Sequence, residues 1–154
     1  MLGDAMADGL LPIAESIGAM SEASEEWLDP LVGNPGIDAG EAQIFALAAE
    51  HGLRVLTGDK RALAEVSRLP KFRAEMDGRV VTLEAVLLGL TNKMNGAELR
   101  ARGRILAQYD KMARAVFSSD GSSLDEGLES YLADLERNTD PMKLWRTGGE
   151  AQEE

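Results

Sequence analysis

The order of apolar runs and turns between residues 53 and 90 constrains the fold more than any other feature of the sequence. Leu53 to Thr57 is a short apolar run typical of a strand, Lys60 to Arg68 has helical character, and Arg79 to Leu83 is a second strand candidate. A further helix is predicted from about Glu84 to Leu90. A strand that returns through a helix normally runs parallel to its predecessor. The middle of the chain therefore predicts a parallel α/β unit.

Helices are predicted before this unit. Asp38 to His51 is apolar on nearly every side, and it is followed by Gly52, a residue that favours a left-handed helix cap. Upstream, two amphipathic helices are predicted from about Leu10 to Met20 and from Ser24 to Leu31. A helix that is apolar on most sides is usually buried, so we expect Asp38 to His51 to lie in the core.

The C-terminal part of the chain is also predicted to be helical. One long helix is expected from Ala97 to Phe117, and another from Leu124 to Glu136 after a loop rich in Ser, Asp and Gly. The long helix carries an apolar stripe that consists of Leu99, Ile105, Leu106, Tyr109, Met112, Ala113 and Val116. Such a stripe forms part of a core more often than it forms a surface for a partner.

The length of 154 residues favours a single domain. Within it we distinguish N-terminal helices (residues 1–35), an α/β core (36–95), C-terminal helices (96–140) and a tail (141–154). The end of the tail, Thr147 to Glu154, is polar and contains glycine, so it is predicted to be disordered.

Charge is distributed unevenly along a chain whose net charge is −11. Residues 1–50 carry −10 and residues 118–154 carry −7, whereas residues 51–117 carry +6. A basic middle could contact the phosphates of a nucleic acid. The alternative is that these bases lie on solvated helix faces that balance the acidic flanks.

The sequence predicts a soluble cytoplasmic protein. No apolar run approaches the roughly 20 residues that a membrane helix needs, and the first 50 residues lack the Lys and Arg of a secretory signal. The absence of cysteine excludes disulfides and thiolate metal sites.

Three carboxylates lie where helices are predicted to begin. Asp38 followed three residues later by Glu41 is the pattern of a capping box. Asp59 lies between the first strand and the helix that begins at Lys60, and it also suits an N-cap. Capping explains all three residues without a catalytic role. Convergence at one edge of a parallel sheet would instead favour a shared hard cation, because clustered carboxylates repel one another.

An acidic helix start, an Ala-rich helix, an apolar strand and a T-x-D turn follow one another between residues 38 and 59. The motif is formed by Asp38, Gly40, Glu41, Ala42, Gly52, Thr57 and Asp59. Together with the chain to about residue 90, it resembles the second half of PIN domains. These are metal-dependent ribonucleases with an α/β/α sheet, and they include toxins of bacterial toxin–antitoxin pairs. The resemblance implies Mg²⁺ or Mn²⁺ held by Glu41 and Asp59, the catalytic residues, with Asp38 as a third ligand.

The chain departs from the family at its N-terminal side. PIN domains have a first strand that ends in an aspartate, but Asp4 and Asp8 lie in a stretch without strand character. We therefore expect a PIN-like α/β/α fold, helix-rich and truncated at the N-terminus, in which the first metal ligand is missing. Two functions stay open: an endoribonuclease, of toxin type or otherwise, impaired by the missing acid, and a non-catalytic PIN-like module that binds a protein.

An active site of this kind would hydrolyse RNA with the help of the metal. The ion would activate a bound water and polarise the scissile phosphate, and Lys60 or Arg61 would neutralise the non-bridging oxygens. RNA, an antitoxin or other protein, and a second copy of the chain are the partners that follow from this resemblance. Asp77 and Glu84, which flank the second strand, are candidates for additional acids of the site, but roles at an exposed turn and an exposed helix start are favoured.

Overall fold

The computed structural model describes residues 22–118 and 123–146. The predicted helix from Leu10 to Met20 and the predicted disorder of Thr147 to Glu154 lie outside these residues. The chain divides between Leu53 and Arg54 into two compact units. In the first, the described helices are α1 (Glu22–Leu28) and α2 (Ala39–His51). In the second, the described elements are β1 (Val55–Leu56), α3 (Lys60–Arg68), α4 (Pro70–Met76), β2 (Val80–Val81), α5 (Leu83–Thr91), α6 (Gly96–Leu106), α7 (Lys111–Ser118) and α8 (Leu124–Thr139).

The first unit is built on the packing of α1 against α2. Helix α2 ends where the sequence predicted, because Gly52 adopts a left-handed conformation with φ 63° and its N–H donates to the carbonyl of Ala48. The face of α2 that contains Phe45 is buried, whereas Ile44 is 55% exposed. The helix therefore has one buried face, and the expectation that it is buried on most sides is only partly met.

The second unit contains the predicted parallel sheet. Strands β1 and β2 pair in parallel with Val55 opposite Val80 and Leu56 opposite Val81. Thr82 follows β2 and caps α5, since its hydroxyl accepts the N–H of Ala85 at 3.3 Å. Helix α4 was missed from the sequence, although Pro70 at its first position is a common start signal.

The segment that follows α8 lies against the free side of β2. Leu144 forms a parallel bridge with Val80, and the N–H of Trp145 donates to the carbonyl of Val80 at 2.8 Å. The Asp77 carboxylate also holds this segment, because its Oδ1 accepts the N–H of Lys143 at 2.7 Å. Residues that the sequence assigned to a tail therefore extend the sheet by one short strand-like segment, and Leu144 is buried.

The predicted long helix from Ala97 to Phe117 is divided in two. Helix α6 ends at Leu106, and α7 begins at Lys111 after Asp110, whose carboxylate accepts the N–H of Ala113 at 2.7 Å. The two helices pack closely at Gly103, where an added Cβ would lie 2.5 Å from ring atoms of the buried Phe117. No larger residue fits there without moving that ring. The division permits this contact, which one continuous helix cannot make.

The fold class is helix-rich α/β with a small parallel sheet, as the sequence predicted. Across residues 22–118 and 123–146, no helix is both long and apolar enough to cross a membrane.

Candidate functional site

The carboxyl ends of β1 and β2 deliver two acids to the same edge of the sheet. Leu56 pairs with Val81, and the acids Asp59 and Glu84 each follow three residues later. Ligands commonly bind beyond the carboxyl ends of parallel strands. We call the group formed by Asp59, Lys60 and Glu84 the carboxyl edge.

Asp59 caps α3 as the sequence predicted. Its Oδ1 accepts the N–H of Arg61 at 2.8 Å and the N–H of Ala62 at 3.0 Å. The turn before it is fixed because its own N–H donates to the hydroxyl of Thr57 at 3.1 Å. Both capping bonds use the same oxygen, and within the described residues Oδ2 has no hydrogen-bond donor. Capping therefore leaves half of this carboxylate available to a ligand.

Lys60 lies against Glu84 and Tyr131. Its Nζ is 3.5 Å from Oε1 of Glu84 and 5.4 Å from the centre of the Tyr131 ring. The Glu84 side chain is only 5% exposed, so the prediction of an exposed helix start was right about the helix and wrong about the exposure. A buried carboxylate needs a compensating charge, and Lys60 supplies it. Lys60 is thus engaged in the fold, although the sequence assigned it to RNA phosphates.

Arg61, the second predicted phosphate contact, is exposed on the first turn of α3. Its guanidinium forms no ion pair with any described residue. Arg61 can therefore bind an anion, whereas the charge of Lys60 is already used by Glu84.

Asp38 and Glu41 form the predicted capping box at the start of α2. Glu41 N–H donates to Oδ1 of Asp38 at 2.8 Å, and Asp38 N–H donates to Oε2 of Glu41 at 3.0 Å. Each carboxylate again uses one oxygen for the helix start. Asp38 is exposed and Glu41 is half-buried, so both can be reached from solvent.

The predicted metal ligands fall in both units. Asp38 and Glu41 belong to the first unit and Asp59 to the second, so their convergence stays a prediction. Within the part of the chain that the structure describes, no group of three or more Asp, Glu, His or Cys side chains is arranged to hold a metal ion.

A second charged group, which sequence reasoning missed, lies on α8. Arg146 donates from Nε and Nη2 to the two oxygens of Glu136, each at 2.7 Å, and from Nη1 to Glu129 at 3.0 Å. Arg146 and Glu129 also line a cavity of about 280 Å³ between α5 and α8. Glu129 and Glu136 are seven residues apart and so share one helix face, which was the available signal. The spacing did not predict that Arg146, which lies beyond the end of α8, would bind both of them.

The hydrogen bonds from Arg146 lower the pKa of Glu136 below its ordinary value of 4.5, and burial opposes this only in part. A lowered folded-state pKa contributes stability that is present above the unfolded pKa and is lost as the pH falls through the folded pKa. We expect Glu136→Gln to cost about 1 kcal/mol of unfolding free energy near neutral pH, because the pair is partly exposed. Urea unfolding from neutral pH down into the acid range measures this cost. The cost of Glu136→Gln should shrink as the pH falls below 4.5. A cost that does not change with pH would contradict a stabilising interaction between Arg146 and the charged Glu136.

In comparisons with protein-family models, with curated proteins and with solved structures, nothing matches this chain.

Proposed function

We propose that this protein is a metal-dependent RNA endonuclease of PIN type. The observation that carries the proposal is Asp59, which follows the carboxyl end of a parallel strand and caps α3 through Oδ1, while none of the residues in 22–118 and 123–146 donates to its Oδ2. Asp38 and Glu41 likewise each use only one carboxylate oxygen for capping. A helix-start role and a ligand role are therefore compatible in all three acids.

The type of donor atom that these three acids offer suits a hard divalent cation. Carboxylate oxygens are the preferred protein ligands of Mg²⁺ and Mn²⁺, and the resemblance assigns Glu41 and Asp59, with Asp38, to this role. A bound ion of this type supplies Lewis acidity that activates water and polarises a phosphodiester. Arg61 lies two residues beyond Asp59 and offers its exposed guanidinium to a non-bridging phosphate oxygen. Lys60 holds Glu84 and thereby fixes the carboxyl edge.

The test is cleavage of a labelled single-stranded RNA by the full chain with Mn²⁺, compared with the same reaction in EDTA. We expect internal cleavage products with Mn²⁺ and none in EDTA. Asp59→Asn should lose this cleavage, and Asp134→Asn is its matched control, because it makes the same chemical change at an exposed position of α8 that belongs to no candidate site. Equal cleavage with Mn²⁺ and EDTA, or no cleavage in either, would refute the nuclease.

The second candidate is a non-catalytic PIN-like interaction module. It is favoured by the fact that Asp38, Glu41 and Asp59 all satisfy helix starts, so their presence requires no metal. A chain that melts at the same temperature with and without Mn²⁺, and does not cleave RNA, would support this module over the nuclease.

A further inference from the structure

The end of α6 and the turn that follows it leave three large side chains on the surface. Ile105 is 63% exposed, Leu106 is 37% exposed and Tyr109 is 85% exposed. These residues, which we call the Tyr109 patch, belong to the apolar stripe that the sequence predicted. The rest of that stripe is buried, namely Leu99, Met112, Ala113 and Val116. The exposed members of the stripe thus lie at the break between α6 and α7, and the buried members lie on both sides of it.

The backbone of this turn is held by several hydrogen bonds. Arg114 donates from Nε to the carbonyl of Ala107 at 2.9 Å and from Nη2 to that of Gln108 at 3.3 Å. Tyr109 N–H donates to the carbonyl of Leu106 at 2.9 Å, and Asp110 caps the next helix. The turn is fixed while the Tyr109 ring projects into solvent. A backbone that is already fixed reduces the conformational entropy that is lost when the side chain binds a ligand.

The charge around the Tyr109 patch is opposite to that of the whole chain. Residues 96–118 carry a net charge of +3 in a protein of −11. Arg104 lies in the last turn of α6 and Lys111 begins α7, so they flank Tyr109 in the chain. Both are exposed, and neither forms an ion pair with any described residue. An exposed aromatic with exposed cations close to it in the chain suits a single-stranded nucleic acid.

We propose that the Tyr109 patch binds single-stranded RNA, with a base stacked on Tyr109 and phosphates held by Arg104 and Lys111. This inference rests on the proposed function for the identity of the ligand. RNA fits better than an acidic protein because the most exposed member of the patch is a ring. A protein interface would need a larger apolar area than Ile105 and Leu106 supply. A flat ring suffices for a base, since every base has a π-face.

The experiment is fluorescence anisotropy of a 5′-labelled single-stranded oligoribonucleotide titrated with the full chain in EDTA, where metal-dependent cleavage cannot occur. Tyr109→Ala should weaken binding about tenfold, whereas Tyr109→Phe should bind nearly as the wild type does. Arg104→Gln with Lys111→Gln should make the slope of log affinity against log salt shallower by about 1.4, the value for two phosphate contacts on a single strand. Val32→Ala is the control, because Val32 is an exposed apolar residue of the first unit.

Absence of RNA binding by the wild-type chain, or equal binding by Tyr109→Ala and the wild type, would overturn the inference. A different result would be that Tyr109→Ala loses self-association, or binding to an acidic peptide, while it binds RNA as the wild type does. That result would assign the Tyr109 patch to a protein partner and would also overturn the inference. The nuclease proposal fails separately: RNA binding that depends on Tyr109, without cleavage in Mn²⁺, supports this inference and refutes the nuclease. Cleavage in Mn²⁺ together with RNA binding that Tyr109→Ala does not weaken would support the nuclease and overturn this inference.

Discussion

Replacing Asp59 with Asn is expected to reduce metal-dependent RNA cleavage by at least about 100-fold, the scale of losing a metal ligand. Stability should change by less than about 0.5 kcal/mol, since Asn and Asp are equally good N-caps. The amide oxygen can take over the bonds that Oδ1 accepts from Arg61 and Ala62. The amide NH₂ then replaces Oδ2, and it is a donor that cannot bind a cation. The substitution therefore removes the proposed ligand while it keeps the helix start.

Two measurements separate these roles. Chemical unfolding gives the stability, and the shift of the melting temperature on addition of Mn²⁺ gives metal binding without reference to activity. Asp59→Ala is the companion variant, because it removes both roles and should cost about 1 kcal/mol in addition to the activity. An Asp59→Asn protein that cleaves RNA as well as the wild type, or keeps the full Mn²⁺ shift, would show that Asp59 is only a cap.

Local signals explain what could be predicted from the sequence. The capping box of Asp38 and Glu41, the left-handed Gly52 and the Asp59 cap all depend on residues within four positions of one another. The parallel pairing of β1 with β2 followed from the helical connection between them, of which the sequence predicted the first helix. These features do not require knowledge of distant contacts.

Features that depend on distant contacts were missed. The break after α6 had a local signal in Asp110, but its reason is the contact of Gly103 with Phe117, fourteen residues away in sequence. The pairing of Leu144 with Val80 and the burial of Glu84 under Lys60 arise only when the sheet is assembled. In the candidate site, the helix-start roles of Asp38, Glu41 and Asp59 were predictable. The pairing of each acid with its neutralising cation could not be predicted.

Lys60→Met is expected to lower the free energy of unfolding by about 3 kcal/mol, the lower end of the range for breaking a buried ion pair. The variant leaves the Glu84 carboxylate in a site where it is only 5% exposed, without the charge that lies 3.5 Å away in the wild type. It also removes the cation from the Tyr131 ring, which adds a smaller loss. Half of the Lys60 side chain is exposed, so solvent relieves part of the cost and the larger values are not expected.

The double variant Lys60→Met/Glu84→Gln gives the decisive comparison. It leaves no buried charge, so we expect it to be more stable than Lys60→Met alone, with a coupling energy of about 1–3 kcal/mol in the double-mutant cycle. If Lys60 contacts only Glu84, the double variant should also retain RNA cleavage, whereas Arg61→Gln should lose it in a protein of normal stability. If Lys60 instead contacts the phosphate, Lys60→Met should fold normally and the double variant should be inactive. Stability and cleavage measured on the wild type, Lys60→Met, Glu84→Gln, the double variant and Arg61→Gln therefore assign this lysine either to the fold or to the reaction.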